Sequence, residues 1–220
     1  MNRLLQVVAA LALGLAAVSA LAAGDGWVLS QRDESPSEGY ALYRRQGPDE
    51  AFASWRLETE LTAPPEVVER VTLRNLVENT GDEHRHQLLR REGRVVWVHV
   101  DIPIALAADR DAVFRIERSR DAATGGLRID WRADPDAGPP PKEGVVRMRV
   151  SRGFWLFTSA AGGRTNVVYE SYAEPGGPFP HWLVDVISSG EVMNSVTRLR
   201  AGVADEPLPS VGAEGDSEGG

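Results

Sequence analysis

The sequence contains no cysteine and only one lysine, Lys142. The absence of cysteine excludes disulfide bonds, thiol nucleophiles and a lipoprotein cysteine. Nucleic acid is an unfavourable partner, because 24 basic residues face 32 acidic ones and the formal net charge is −8. Proteins that bind phosphate backbones concentrate Lys and Arg on one surface. The remaining composition, 42% hydrophobic and 25% charged in 220 residues, is typical of one globular domain.

The N-terminal segment has the features of a secretory signal peptide. Arg3 provides a positive start, Leu4–Val18 is almost entirely apolar, and Ala20-Leu21-Ala22 has the small-x-small pattern of a cleavage site. A retained membrane anchor is the alternative, because the segment is long enough to span a bilayer. We expect cleavage after Ala22, which brings the net charge to −9 by removing Arg3, and a mature protein that is periplasmic or secreted.

The C-terminal segment has the composition of a disordered tail. From Gly202 onward there are five acidic residues, five glycines, two prolines and no basic residue. Such a segment buries too little apolar surface to offset the entropy cost of ordering it. The sequence therefore predicts a signal peptide at 1–22, a folded domain at 23–202 and an acidic tail at 203–220.

Much of the folded domain alternates apolar and polar residues with a period of two. Trp55, Leu57 and Leu61 alternate with polar residues, and Leu127–Trp131 and Val146–Val150 repeat the pattern. Antiparallel strands with one buried face have this period. Further strands are predicted at Tyr40–Arg45, His84–Arg90, Val95–Val100 and Asp111–Arg118.

Two segments have helical patterns instead. The first begins at Pro64-Pro65 and has Val67 and Val71 on its apolar face. The second begins near Pro180, since proline is favoured in a first helical turn, and is expected to end before Gly202. Its predicted apolar stripe consists of Trp182, Leu183, Val186, Ile187, Gly190, Met193 and Val196. Many strands followed by one long amphipathic helix predict an α+β fold, in which a curved antiparallel sheet packs against that helix.

Four stretches of the domain, taken together and in order, resemble a known family. They are Gly39–Arg45 (GYALYRR) with the helix start Ala63–Val68 (APPEVV), Pro103–Val113 (PI…DRDAV), Gly144–Phe157 (GVVR…FWLF) and Pro175–Asp185 (PGGPFPHWLVD). This series is similar to the START domains, the lipid-transfer family related to the steroidogenic acute regulatory protein. The resemblance covers about 25–201. It implies a helix-grip (START-like) fold, whose sheet surrounds the long C-terminal helix and encloses an apolar tunnel.

The resemblance also implies a function: binding a hydrophobic, lipid-like ligand in that tunnel, for lipid carriage or sensing in the cell envelope. Because such tunnels are largely apolar, the lining was selected by strand and helix parity. The predicted lining residues are Trp97, Phe114, Ile129, Trp131, Met148, Val150, Tyr169, Trp182, Val186 and Met193. We expect a monomer without cofactor, metal or catalytic residues, whose partners are a lipid or other hydrophobic small molecule and, transiently, a membrane.

Two other functions remain open from the sequence. An enzyme similar to the polyketide cyclases of the same superfamily requires a titratable group inside the tunnel, and His99, Asp101 and Asp111 are its candidates. An envelope interaction module would instead fill its interior with side chains. A zinc site that includes His84 and His86 is disfavoured by the arginines around it.

Overall fold

The computed structural model describes residues 26–35, 38–78, 85–104 and 107–206. Ten strands form one sheet in the order β1-β2-β3-β10-β9-β7-β6-β5-β4, and β8 pairs with β6. Neighbours along this path are antiparallel, whereas β8 is parallel to β6. The strands are β1 (Val28–Asp33), β2 (Tyr40–Arg45), β3 (Ser54–Leu61), β4 (Arg85–Glu92), β5 (Val95–Ile102), β6 (Arg110–Arg120), β7 (Leu127–Ala133), β8 (Val146–Arg147), β9 (Val150–Ala160) and β10 (Arg164–Glu174).

The strand register defines two faces of this sheet. Leu57 pairs with Tyr169, which pairs with Trp155, which pairs with Ile129. Side chains of directly paired residues lie on the same face, so these four share one side. They are buried with the apolar side chains of both helices, and we call this side the inner face and the opposite side the outer face.

Two helices cover part of the inner face: α1 (Pro65–Val77) and α2 (His181–Ala204). α1 begins as its sequence predicts, with proline in the first turn and Glu66 beside the positive end of the helix dipole. Its Val68 and Val71 are completely buried. α2 crosses β3 and β10 and contacts α1. The curved antiparallel sheet with a long C-terminal helix is the α+β helix-grip architecture that the sequence predicts.

The end of α2 differs from the prediction. The helix continues through Gly202 to Ala204, because this glycine serves close packing and not termination. A Cβ at position 202 would lie 2.7 Å from Val71 Cγ1 of α1. Glu206 then accepts hydrogen bonds from Arg70 and Arg74 of α1, at 3.0 and 2.9 Å.

The folded part therefore extends at least to Glu206, beyond the predicted boundary at 202. The predicted signal peptide, 1–22, and residues 207–220 of the predicted tail lie outside the described residues. Neither helix among the described residues is long and apolar enough to cross a membrane.

The buried stripe of α2 also differs from the predicted one. It consists of Val184, Val192, Val196 and Leu199, so of the predicted stripe only Val196 is fully enclosed. Successive residues are about 100° apart around a helix, so a shift of one residue moves the buried stripe to a different side. The side that is buried is the one in contact with α1, β3 and β10. Trp182 and Val186 are consequently 67% and 62% exposed.

Candidate ligand-binding site

An aromatic cluster occupies the inner face where β7, β9 and β10 meet. The rings of Trp155 and Tyr169 stack with centroids 3.9 Å apart and planes within 6°. Trp131 lies 5.5 Å from Tyr169, and Phe157 lies 6.3 Å from Trp155. The residues alternate along their strands, so the period of two in the sequence delivers all four rings to one face.

Gly153 makes room for one of these rings. It pairs with Trp131 across the β7–β9 ladder. A Cβ at position 153 would collide with the Trp131 ring and with the Glu170 carbonyl oxygen. Glycine therefore lets the indole lie directly against β9.

A small polar group adjoins the aromatic cluster. The Tyr169 hydroxyl lies beside the side chains of Ser195 of α2 and of Ser171. Burial, and then the negative charge of Glu191, raise the pKa of Tyr169 to about 12, so the phenol is neutral at physiological pH. Arg198 Nη2 donates to Glu191 Oε1 at 2.6 Å, which balances that carboxylate within α2.

Two inner-face indoles have buried N–H groups without acceptors. The Nε1 atoms of Trp55 and Trp155 are enclosed, and neither has a hydrogen-bond partner in the part of the chain that the structure describes. Leaving such a donor unsatisfied costs about 1–3 kcal/mol, and native proteins rarely tolerate it without a functional or solvent partner. In the sequence, these two donors are indicated only by the residue type, because a buried tryptophan brings a polar N–H group into an apolar surface.

The structure brings half of the predicted lining residues to this region. Ile129 and Tyr169 are buried in the main core, and Phe114, Trp131 and Met193 pack against it. Trp182 and Val186 lie on the first turns of α2 with most of their surface exposed. Met148 is buried outside the main core, and its backbone N–H donates to the backbone carbonyl oxygen of Asp111. Ligand contact by any of these residues stays a prediction.

Trp97 and Val150, in contrast, lie on the outer face. In β5 the side chains of Val96 and Val98 lie on the inner face, so Trp97 between them lies on the outer face. In β9 Trp155 is on the inner face, which puts Val150, an odd number of residues away, on the outer face. The assignment of these two residues to the inner face by strand alternation is therefore wrong. Trp97 Nε1 donates to Asp134 at 2.8 Å, and Arg90 stacks on the ring at 3.8 Å.

The candidates for catalysis also lie on the outer face, in the same parity as Trp97. His99 Nε2 lies 2.9 Å from Asp111 Oδ2, and Arg147 donates to both Asp111 oxygens at 2.8 and 2.7 Å. Burial opposes ionisation of Asp111, but hydrogen bonds from Arg147 and His99 outweigh it and lower its pKa. Asp101 is salt-bridged to Lys142 at 3.4 Å.

His86 and His99, on the neighbouring strands β4 and β5, lie on opposite faces of the sheet. His86 lies on the inner face and its Nδ1 is 3.1 Å from the Leu76 carbonyl oxygen, whereas His99 lies on the outer face. His84 lies outside the described residues. In the described ranges, no three acidic or histidine side chains form a group suited to a metal ion.

The START domain model matches residues 14–206. The chain belongs to the START domain family. The matched segment begins before the predicted cleavage site at Ala22 and ends at Glu206, the residue that ties the end of α2 to α1.

Solved structures share the fold of this START domain. A STAR-related lipid transfer protein from Xanthomonas axonopodis, solved as a fragment, superimposes with a TM-score of 0.71 at 24% identity, covering 82% of this chain and all of that one. Human StAR-related lipid transfer protein 5 has a TM-score of 0.67 at 18% identity, covering 88% and 93%. An uncharacterized protein of Pseudomonas aeruginosa is 30% identical over 117 residues, which span 52% of this chain and 56% of that protein.

Proposed function

We propose that this START domain binds a hydrophobic, lipid-like ligand on the inner face, between the aromatic cluster and α2, and carries or senses that ligand in the cell envelope. The observation that carries the proposal is the pair of buried indole N–H groups of Trp55 and Trp155 in an otherwise apolar surface. An oxygen atom of a bound lipid would satisfy donors of this kind. The names of the Xanthomonas and human relatives, both lipid transfer proteins, support the same ligand class.

The energetics of the site favour a ligand with long apolar parts. Each methylene that leaves water contributes about 0.8 kcal/mol to binding. The polar group around Tyr169 is uncharged apart from the paired Glu191 and Arg198. A ligand with an uncharged oxygen next to its apolar part therefore fits this site better than one whose charge must be buried.

The exposed apolar side chains of α2 support a transient membrane contact. Trp182, Val186 and Ile187 lie on its first two turns with 67%, 62% and 43% of their surface exposed. The net charge of −8 opposes general adhesion to anionic membranes, so the contact would be local and apolar.

Replacing Ser195 with phenylalanine is expected to weaken lipid binding at least tenfold. Ser195 is half-buried and lies beside Tyr169, so a ring at this position occupies space next to the aromatic cluster. Mass spectrometry of co-purified molecules identifies the ligand, and displacement of a fluorescent lipid then measures affinity. Asn194→Phe is the matched control, because Asn194 is exposed on the same helix.

The control protein should bind as the wild type does. Phe114→Ala serves as a second variant if Ser195→Phe has a lowered melting temperature. It removes a ring that packs against the inner-face core, so it is expected to change the affinity for lipid without adding side-chain volume. Unchanged binding in Ser195→Phe and Phe114→Ala, or a native protein that neither co-purifies with nor takes up any lipid, would contradict the proposal.

We further propose that the chain is exported, with cleavage after Ala22. The support is Arg3, the apolar segment and the Ala20-Leu21-Ala22 pattern. The intact mass of the protein from the periplasm or medium is expected to correspond to a chain that starts at Ala23. Recovery of only the full-length mass, in the membrane fraction, would identify the segment as a retained anchor.

A further inference from the structure

A line of half-buried polar side chains runs along α2 beside the aromatic cluster. Ser188, Glu191, Ser195 and Arg198 recur at intervals of three or four residues, which places them on one side of the helix. The last three each directly precede a residue of the stripe that is buried against the sheet. The side of α2 that adjoins the proposed lipid site is therefore polar and carries one carboxylate, that of Glu191.

Glu191 uses only one of its two carboxylate oxygens. Its Oε1 accepts hydrogen bonds from Arg198 Nη2 at 2.6 Å and from Ser195 Oγ at 3.4 Å. Its Oε2 has no hydrogen-bond partner in the described part of the chain. Arg198 Nη2 also donates to Ser195 Oγ at 3.1 Å. These contacts hold the carboxylate in one orientation and leave one strong acceptor unused.

The unused oxygen belongs to the same polar group as the Tyr169 hydroxyl. Ser195 lies beside both residues, and the negative charge of Glu191 acts on the phenol. Tyr169 is 6% exposed, whereas the side chains of Glu191 and Arg198 are each 37% exposed. The carboxylate is consequently accessible to an entering molecule, while the phenol beside it is enclosed.

There is open space on α2 next to this carboxylate. Gly190 directly precedes Glu191 and is half-buried, yet a Cβ at position 190 would meet no atom within 4 Å. On the sheet, the Trp155 ring stacks on Tyr169, and its enclosed Nε1 has no acceptor among the described residues. The neighbours of Tyr169 thus include both an unused acceptor and an unused donor.

We propose that Glu191 determines the ligand class, and that the ligand is a hydrophobic alcohol whose hydroxyl donates to Glu191 Oε2. The inference rests on the proposed lipid site and adds to it that the ligand's oxygen carries a proton. A hydroxyl can donate to a carboxylate and accept from an indole N–H at the same time. An ester has no proton to donate, and a fatty acid brings a second negative charge next to Glu191.

Competition against a bound fluorescent lipid tests this specificity. Hexadecanol, methyl hexadecanoate and hexadecanoate share one chain length and differ at the oxygen-bearing end. Hexadecanol is expected to displace the fluorescent lipid at a concentration about tenfold below that of either other compound, the usual effect of one hydrogen bond to a charged group. Glu191→Gln keeps an oxygen for Arg198 but removes the negative charge, so the preference for hexadecanol over hexadecanoate should fall about tenfold.

Asp185→Asn is the matched control. Asp185 also lies on α2 and is also paired with an arginine, Arg44 at 2.9 Å, but it belongs to the first turns of the helix. The control should keep the wild-type preference for the alcohol. Because the preference is a ratio of two affinities measured in one protein, a variant that is merely less stable does not change it.

The result separates failure of this inference from failure of the lipid site. Displacement by all three compounds at similar concentrations, or an unchanged preference in Glu191→Gln, would overturn the role of Glu191 and leave the lipid site in place. A wild-type protein that does not bind the fluorescent lipid, or from which none of the three compounds displaces it, would overturn both.

Discussion

Replacing Arg147 with methionine is expected to lower the free energy of unfolding by about 3–5 kcal/mol, the cost of removing one partner of a buried ion pair. Arg147 and Asp111 have side chains that are 8% and 3% exposed. The variant leaves the Asp111 carboxylate buried with only His99 beside it. Urea denaturation of the wild type and the variant measures the difference.

The same substitution should also release the loop after β7. Arg147 donates hydrogen bonds to the Pro135 and Pro139 carbonyl oxygens, at 2.6 and 2.8 Å, and so holds this loop on the outer face. Faster hydrogen exchange is therefore expected in the variant at the amides of Asp136, Ala137 and Gly138, which lie between the two prolines that Arg147 holds.

Arg149→Met is the matched control for this prediction. Arg149 is only two residues away, but its side chain is 67% exposed and lies 3.8 Å from an exposed carboxylate. Such surface pairs contribute little to stability, so the control should unfold near the wild type. Equal unfolding midpoints for Arg147→Met and Arg149→Met would contradict the role of the buried pair.

Lowering the pH should reduce the difference in the free energy of unfolding between the wild type and Arg147→Met. Because the pKa of Asp111 is lower in the folded protein than its ordinary value of 3.8, its ionised carboxylate stabilises the folded protein at every pH above 3.8. That contribution is lost as the pH falls from 3.8 through the lower folded value, because the carboxylate is then protonated in both states. The two proteins should therefore differ most near neutral pH.

Replacing Val192 with aspartate is expected to lower the free energy of unfolding by a similar amount, about 3–5 kcal/mol, and to abolish lipid binding as well. Val192 is 1% exposed and belongs to the stripe of α2 that contacts the sheet core. A carboxylate at this position would be buried among apolar side chains, so α2 must detach to hydrate it. Thermal unfolding and lipid displacement measure the two effects.

Asn194→Asp is the matched control, because Asn194 is exposed two residues further along the same helix. It adds the same negative charge without removing contact with the sheet, and it should melt near the wild type. If Val192→Asp melted like this control, α2 would not be docked through that stripe.

Strand structure was predictable because backbone geometry imposes a period of two on any half-buried strand. Tyr40–Arg45 has the predicted bounds, and β5 and β6 differ from the prediction by only a few terminal residues. The start of α1 at Pro65 was equally local, because proline suits a first helical turn. The family resemblance then predicted how these elements combine, and the match over residues 14–206 confirmed the family.

The candidate site was predictable only in part, because parity assigns residues to alternating sides without saying which side is inner. Ile129, Tyr169 and Trp131 were placed correctly on the aromatic side of the sheet. Trp97 was assigned to the inner side by strand parity, yet Val96 and Val98 occupy the inner positions of β5. The loop after β7 covers the outer indole through Asp134, a contact between residues far apart in sequence.

The sequence by itself determined the alternation of the strands, the two helix starts and the family, since each depends on neighbouring residues or on an ordered series of motifs. Tertiary structure alone decided which stripe of α2 is buried and why Gly202 lies within the helix, because both depend on contact with Val71 and the rest of α1. It also decided that Arg147 reaches Asp111 and that Asp134 reaches the Trp97 indole. Those contacts join residues that are distant in sequence, and no local periodicity encodes such distances.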